Sequence, residues 1–152
     1  MKVLMVCLGN ICRSPMAEGV LRQLANERGL ALEVDSAGTA DYHVGEAPDH
    51  RARASMKRHG GNIEALRARQ VSTKDFERFD IILAMDGNNE RDLRRLAPSD
   101  TARRKVRRMM EFATAQGTGE VPDPYYGADS GFDEVHRMLM DACRGFVDAH
   151  FR

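Results

Sequence analysis

The sequence predicts an α/β fold built on a parallel sheet, and three observations carry that prediction. Val3-Leu4-Met5-Val6 and Ile81-Ile82-Leu83-Ala84-Met85 are short, unbroken apolar runs, the pattern of strands buried on both faces. Segments with helical spacing stand between and after them. Both runs also stop abruptly, at Cys7 and at Asp86-Gly87. Such strand ends are where open sheets place their working residues.

The elements follow in order. After the first run comes a loop, then a helix for which Ser14 is a candidate cap and Pro15 a suitable first residue. Ala17, Val20, Leu21 and Leu24 share one face of it, and Gly29 fits its end. Glu33–Ala37 is expected as a second strand and Gly38–Pro48 as a polar loop. Asp49–His59 reads as a helix stopped by Gly60-Gly61. Beyond the Ile81–Met85 strand, a helix through Leu96 is closed by Pro98, and Lys105–Met110 is a weaker strand candidate. Val121–Gly127, VPDPYYG, is a loop, because prolines two positions apart deny it regular structure. Ser130 with Asp133 offers a capping box. Phe132, Val135, Leu139, Ala142, Phe146 and Val147 then trace the apolar stripe of a final helix, with Cys143 on the stripe as core.

Composition narrows the class. The 152 residues, with 42% hydrophobic and 30% charged, are expected to form a single domain over residues 1–152. Lysine plus arginine equal aspartate plus glutamate at 23 each, so net charge names no partner. Residues 91–108 hold eight basic and two acidic side chains, whereas 120–134 hold five acidic and none basic. Both read as solvated surface, and without interleaved aromatics the basic stretch predicts no nucleic-acid partner. No run approaches a membrane span. Met1–Leu8 is too short for a secretory signal and leads straight into patterned sequence. Three cysteines cannot all pair within the chain, which suits a reducing compartment, so a cytoplasmic location is expected.

The informative stretch is VCLGNICRSP, Val6–Pro15, lying between the first strand and the first helix. A phosphate monoester needs several donors at once, and successive backbone N–H groups curling into a helix N-terminus supply them. Gly9 permits the tight turn, and asparagine, here Asn10, tolerates left-handed dihedrals. Arg13 can give two parallel donors to two phosphate oxygens, which a lysine cannot. Amides, dipole and guanidinium together favour the thiolate form of a cysteine at the base of the loop. Ser14 can add one more hydrogen bond. Cys7 is then a nucleophile toward phosphorus, and hydrolysis divides into two steps through a thiophosphate. The charge of the loose transition state spreads over three equatorial oxygens, where the amides and Arg13 point. This chemistry requires no metal and no cofactor. A nucleotide-binding loop fits worse, since its second glycine and Lys-Ser/Thr ending are missing. The five histidines show no ligand spacing. A phenolic leaving group also wants a proton, and two carboxylates compete to give it. Asp123 lies in a stiff loop beside two tyrosines, and Asp86 follows a strand end.

These residues resemble the low-molecular-weight protein tyrosine phosphatases. VCLGNICRSP is similar to that family's signature loop and DPYYG to its general-acid loop. DSAGT (Asp35–Thr39), ARQV (Ala68–Val71) and Met85-Asp86 fall between them in the expected order. The resemblance implies a four-stranded parallel sheet flanked by helices on both faces, with the phosphate-binding loop between first strand and first helix. It implies Cys7 as nucleophile, Arg13 as phosphate clamp and Asp123 as acid and then base, leaving Asp86 a supporting role. Leu8, Gly9, Asn10, Ile11, Cys12, Ser14 and Ser36 correspond to phosphate binding and loop support, with Asn10, Ser14 and Ser36 forming a hydrogen-bond network. Tyr42, Tyr125 and Tyr126, together with Leu8 and Ile11, map onto the walls of the substrate crevice.

Two positions depart from the pattern: Leu66 stands where some members carry a histidine of the network, and Tyr42 where certain members have a tryptophan. The resemblance also implies that Cys12 forms a disulfide with Cys7 under oxidation and shields it. The expected substrate is a tyrosine-phosphorylated protein, with a bacterial tyrosine kinase as partner by analogy, and the expected state a monomer or weak dimer. Two relatives' activities remain as alternatives. Arsenate reduction needs further cysteines, and none lies between Cys12 and Cys143. Phosphoarginine hydrolases carry threonine at the position of Ile11, whose branched apolar side chain suits a phenyl ring better.

Overall fold

The structure, a computed structural model, describes residues 1–115 and 119–151. β1 (Lys2–Cys7) leads into α1 (Arg13–Arg28), and the chain returns as β2 (Glu33–Gly38) beside β1. It continues through α2 (His50–Arg58) and α3 (Asp75–Arg78) to β3 (Ile81–Ala84), which pairs with the other edge of β1. α4 (Gly87–Leu96) and α5 (Asp100–Arg104) precede β4 (Val106–Arg108), a 3-10 turn over Met109–Phe112 follows, and α6 (Ser130–His150) closes the chain. The four strands run parallel in the order β2-β1-β3-β4. The order switches sides at β1, which opens a crevice beyond its carboxyl end. Cys7 ends β1 there, and Asp86 caps α4 just after β3.

Alternation along the strands sorts the core into two layers. Val3, Met5, Cys7, Leu83 and Met85 face one side, where Met16, Val20 and Leu21 of α1 meet Phe132, Leu139 and Phe146 of α6. Leu4, Val6, Ile82 and Ala84 face the other, against Phe76, Phe79, Leu93 and Ala102. Burial on both faces explains why both apolar runs lack polar positions.

Local signals and tertiary contacts disagree in four places. α1 begins at Arg13, and Cys12, not Ser14, is its N-cap residue and makes no side-chain cap bond. The Ser14 hydroxyl instead finds Cys7 and Asn10 across the loop. The expected Ser130/Asp133 capping box does not form, because Asp133 is taken by Ser55 Oγ (2.7 Å) and Arg58 Nη2 (2.8 Å) on α2. The strand expected over Lys105–Met110 shrinks to three residues before the chain tightens into the 3-10 turn. α3 and α5, of four and five residues, are too short to show a period in the sequence.

Five of the eight basic side chains of the stretch 91–108 are paired locally, through Arg94–Glu90, Arg95–Asp92, Arg103–Asp100, Arg107–Glu111 and Arg108–Glu90. Near the end of α6, Gly145 lies so close to the 3-10 turn that a Cβ there would sit 1.8 Å from the Phe112 carbonyl oxygen. Among the described residues, no helix is long and apolar enough to cross a membrane.

Candidate active site

The loop after β1 curls around its own side chains. Cys7 is 3% exposed, with its Sγ 2.9 Å from Ser14 Oγ. Asn10 has φ 58°, the one non-glycine residue with positive φ among those described. That conformation costs about 1–2 kcal/mol for an L-residue. Its side chain offsets the strain: Nδ2 donates to Ser14 Oγ (2.7 Å) and Ser36 Oγ (3.0 Å), and Oδ1 accepts from the Arg69 amide (3.1 Å). The chain just beyond β2 pins the loop from outside, with Thr39 N donating to Cys7 O and Ala40 N to Leu8 O. Gly38 makes this approach possible, since a Cβ there would lie 2.7 Å from Leu8 O.

The network runs further than the motif showed. Ser36 Oγ donates to Glu18 Oε1 (2.7 Å), and Arg22 Nη2 donates to Glu18 Oε2 (2.5 Å) and to Val34 O (2.8 Å). Burial raises the Glu18 carboxyl above its ordinary range, against the lowering by Ser36 and Arg22. The available signal for Glu18 was its place three residues before Leu21, beside an otherwise apolar stripe. Leu66 packs against the core.

Arg13 projects from the first turn of α1 and is 3% exposed. Its Nη1 donates to Asp86 Oδ2 (2.6 Å) and to Val121 O (3.0 Å), and its Nη2 lies 3.7 Å from Asp123 Oδ2. Burial opposes its charge, but Cys7, Asp86 and Asp123 outweigh burial and hold the guanidinium protonated.

Above these groups opens a pocket of about 130 Å³. Cys7, Leu8, Gly9, Ile11, Cys12, Arg13, Tyr42, Asp123, Tyr125 and Tyr126 line it, while Asn10, Ser14 and Ser36 are buried and hydrogen-bonded behind the loop. His43 is a wall residue the sequence did not announce; its Nδ1 meets Glu46 Oε2 at 3.0 Å. The Tyr125 and Tyr126 rings stand edge to face, 4.9 Å apart. The two rival carboxylates differ plainly. Asp86 has both oxygens engaged, by Arg13 and by the Asn89 amide (2.8 Å), and is absent from the wall. Asp123 is on the wall, 40% exposed, with Oδ1 accepting from the Tyr125 amide (3.1 Å).

All three cysteines are unpaired and buried. Burial, then the negative charges of Asp49, Cys7 and Asp123, push the Cys12 thiol far up, so it stays protonated. Burial pushes Cys143 up to about 12, in keeping with a core residue.

Comparisons with known proteins converge. Residues 2–151 match the family model described as low molecular weight phosphotyrosine protein phosphatase. The human low molecular weight phosphotyrosine protein phosphatase is 42% identical over 149 residues, 96% of this chain and 93% of its own length. A crystal structure of a protein tyrosine phosphatase from Entamoeba histolytica superposes with a TM-score of 0.94 at 42% identity, covering 97% of this chain and 95% of that one. The Drosophila arginine phosphatase structure gives a TM-score of 0.94 at 33% identity, covering 100% of this chain and 99% of its own.

Proposed function

The chain belongs to the low-molecular-weight phosphotyrosine protein phosphatase family, a family of cysteine-based hydrolases, and on that premise we propose how its own residues divide the reaction. The substrate is protein phosphotyrosine, or a small aryl phosphate. Cys7 Sγ attacks phosphorus in line with the ester oxygen, so that a P–S bond forms as the P–O bond breaks. Arg13 and the loop amides hold the three equatorial oxygens. Asp123, protonated, gives its proton to the leaving phenolate. As a carboxylate it then takes a proton from the water that attacks phosphorus; the P–S bond breaks, and phosphate and the thiolate are released.

The observation that carries this reading is the convergence on one pocket of a thiol, a buried guanidinium and an exposed carboxylate. Asp86 orients Arg13, since both its oxygens are already bonded. The tyrosines and Ile11 form an apolar rim that suits a phenyl ring, whereas the arginine phosphatase relative keeps phosphoarginine as the second reading. Side-by-side assays with phosphotyrosine, phosphoarginine and phosphoserine peptides test the choice. Phosphotyrosine is expected to give the highest kcat/KM by at least about tenfold, and a higher value for phosphoarginine would reverse the reading.

The finer expectations belong to the same proposal. The protein works as a single domain in the cytoplasm on a tyrosine-phosphorylated partner, by analogy a bacterial tyrosine kinase, as monomer or weak dimer. Under peroxide, Cys7 and Cys12 lose two electrons and two protons to form a disulfide, and the peroxide leaves as water. Mass spectrometry after mild peroxide treatment should show a Cys7–Cys12 peptide pair, and its absence returns Cys12 to packing.

A further inference from the structure

We propose that Arg51 is a positioning residue for the acid loop, tying it to the phosphate-binding loop through Asp49. The proposal rests on the reading of Asp123 as the acid. Residues 121–129 belong to no helix or strand, and the loop must nonetheless hold one carboxyl group at a fixed reach from a leaving oxygen. Arg51, in the first turn of α2, donates from Nη2 to Tyr125 O (2.9 Å) and from Nη1 to Gly127 O (3.3 Å). These two carbonyls flank Tyr126 in the turn from Pro124 to Gly127 that follows Asp123. The guanidinium carbon also lies 5.6 Å from the centre of the Tyr125 ring and 4.7 Å from that of Phe132 at the start of α6.

The other end of the strut is equally defined. Asp49 Oδ1 accepts from Arg51 Nε (3.1 Å), and Oδ2 accepts from Nη2 (3.1 Å). Asp49 also caps α2 by accepting from the Arg51 amide (2.8 Å), and its own amide donates to Ile11 O (2.8 Å) in the phosphate loop. A continuous path therefore runs from the Ile11 carbonyl through Asp49 and Arg51 to the Tyr125 carbonyl. Its ends are the two loops whose separation sets the distance from nucleophile to acid. The planar fork of arginine meets a carboxylate and two carbonyls at once, a geometry that a lysine ammonium cannot reproduce. Side chains carrying only a helix cap or surface charge would have no reason to reach these carbonyls.

The test compares kcat/KM, which reports the first chemical step, across aryl phosphates from phenyl to p-nitrophenyl. It uses Arg51→Ala, Arg51→Lys and Asp49→Asn, each alone and combined with Asp123→Ala. Because a displaced acid matters most for a poor leaving group, Arg51→Ala should lower kcat/KM for phenyl phosphate about 10- to 30-fold and for p-nitrophenyl phosphate less than about threefold. Arg51→Lys should fall close to Arg51→Ala, and Asp49→Asn should show the same leaving-group trend at smaller size. With Asp123 already replaced, each change should cost less than about twofold. Equal losses for all leaving groups, or full losses in the Asp123→Ala background, would overturn the proposal and leave Arg51 a role in folding alone. Should Arg51→Ala not fold, Arg51→Lys and Asp49→Asn decide by the same criteria. A flat leaving-group response of Asp123→Ala itself would remove the acid assignment, and this inference with it.

Discussion

The two loops that meet over the pocket are built in opposite ways. The phosphate loop, residues 7–14, is largely buried between β2 and α1, with Leu8 exposed. Its polar side chains bond one another, Cys7 to Ser14 and Ser14 to Asn10, with Asn10 reaching on to Ser36 of β2. The acid loop, residues 121–129, is largely exposed, with Tyr126 93% accessible. Beyond the bond from the Val121 amide to Met85 O, its anchors are side chains from elsewhere, Arg13 and Arg51. The proposed chemistry accounts for the contrast. A thiolate and an oxyanion site need fixed donors in a dry setting, where an electrostatic contact is strong. A proton donor must reach substrates that enter and leave, so it stands at the rim on a loop with few ties.

The contrast can be broken hardest at the buried side. Cys7→Ser should lower turnover of an aryl phosphate more than about 10⁴-fold, because the other thiol lining the pocket, Cys12, is kept protonated by burial and cannot take over as nucleophile. Retained activity in steady-state assays would remove the nucleophile from the account. On the rim, Asp123→Ala should slow phenyl phosphate about 10²- to 10³-fold but p-nitrophenyl phosphate far less. Uniform slowing would move suspicion to Asp86. Behind the loop, Asn10→Ala removes three hydrogen bonds at a left-handed position. It should lower stability by about 2–3 kcal/mol in urea unfolding, while kcat/KM falls alike for every leaving group. That uniform fall is the opposite of the rim pattern.

A last effect, on stability and not on turnover, lies where α2 meets α6. His136 stacks on His59 with ring centres 3.9 Å apart. Burial, then the neighbouring His59, lowers the pKa of His136 from 6.5 to about 4. The unfolded chain therefore binds a proton that the folded chain refuses between those values. Stability should fall as pH drops from about 6.5 toward 4 and level off below, by at most about 3 kcal/mol from this group. His136→Gln should lose that part of the pH dependence, read from urea midpoints across the range. An unaltered pH curve would assign the acid sensitivity to other groups.

Much of this was legible in the chain. The loop is contiguous, so the pocket-lining Cys7 and Arg13 and the left-handed Asn10 stand within ten letters. The two central strands announce themselves because burial on both faces excludes polar residues. What stayed hidden is whatever depends on distant partners. Glu18 looked like one more charged helix residue until Ser36 and Arg22 closed on it, and Arg51 like one of many surface arginines until Tyr125 came within reach. Asp133 misled for the same reason in reverse: it had a good local capping role and was taken by Ser55, a tertiary partner that local sequence does not contain. Ser14, by contrast, gave up its capping role to Cys7 and Asn10 within the loop motif itself.

Gly145 carries a warning for anyone surveying variants of this chain by lost activity. It contributes no atom to the pocket, yet any side chain there must displace the Phe112 carbonyl and, with it, the turn that follows β4. A screen would score alanine at this position beside damage to the nucleophile, although the first is a failure of assembly and the second of chemistry. Soluble yield, measured in parallel with rate, separates them.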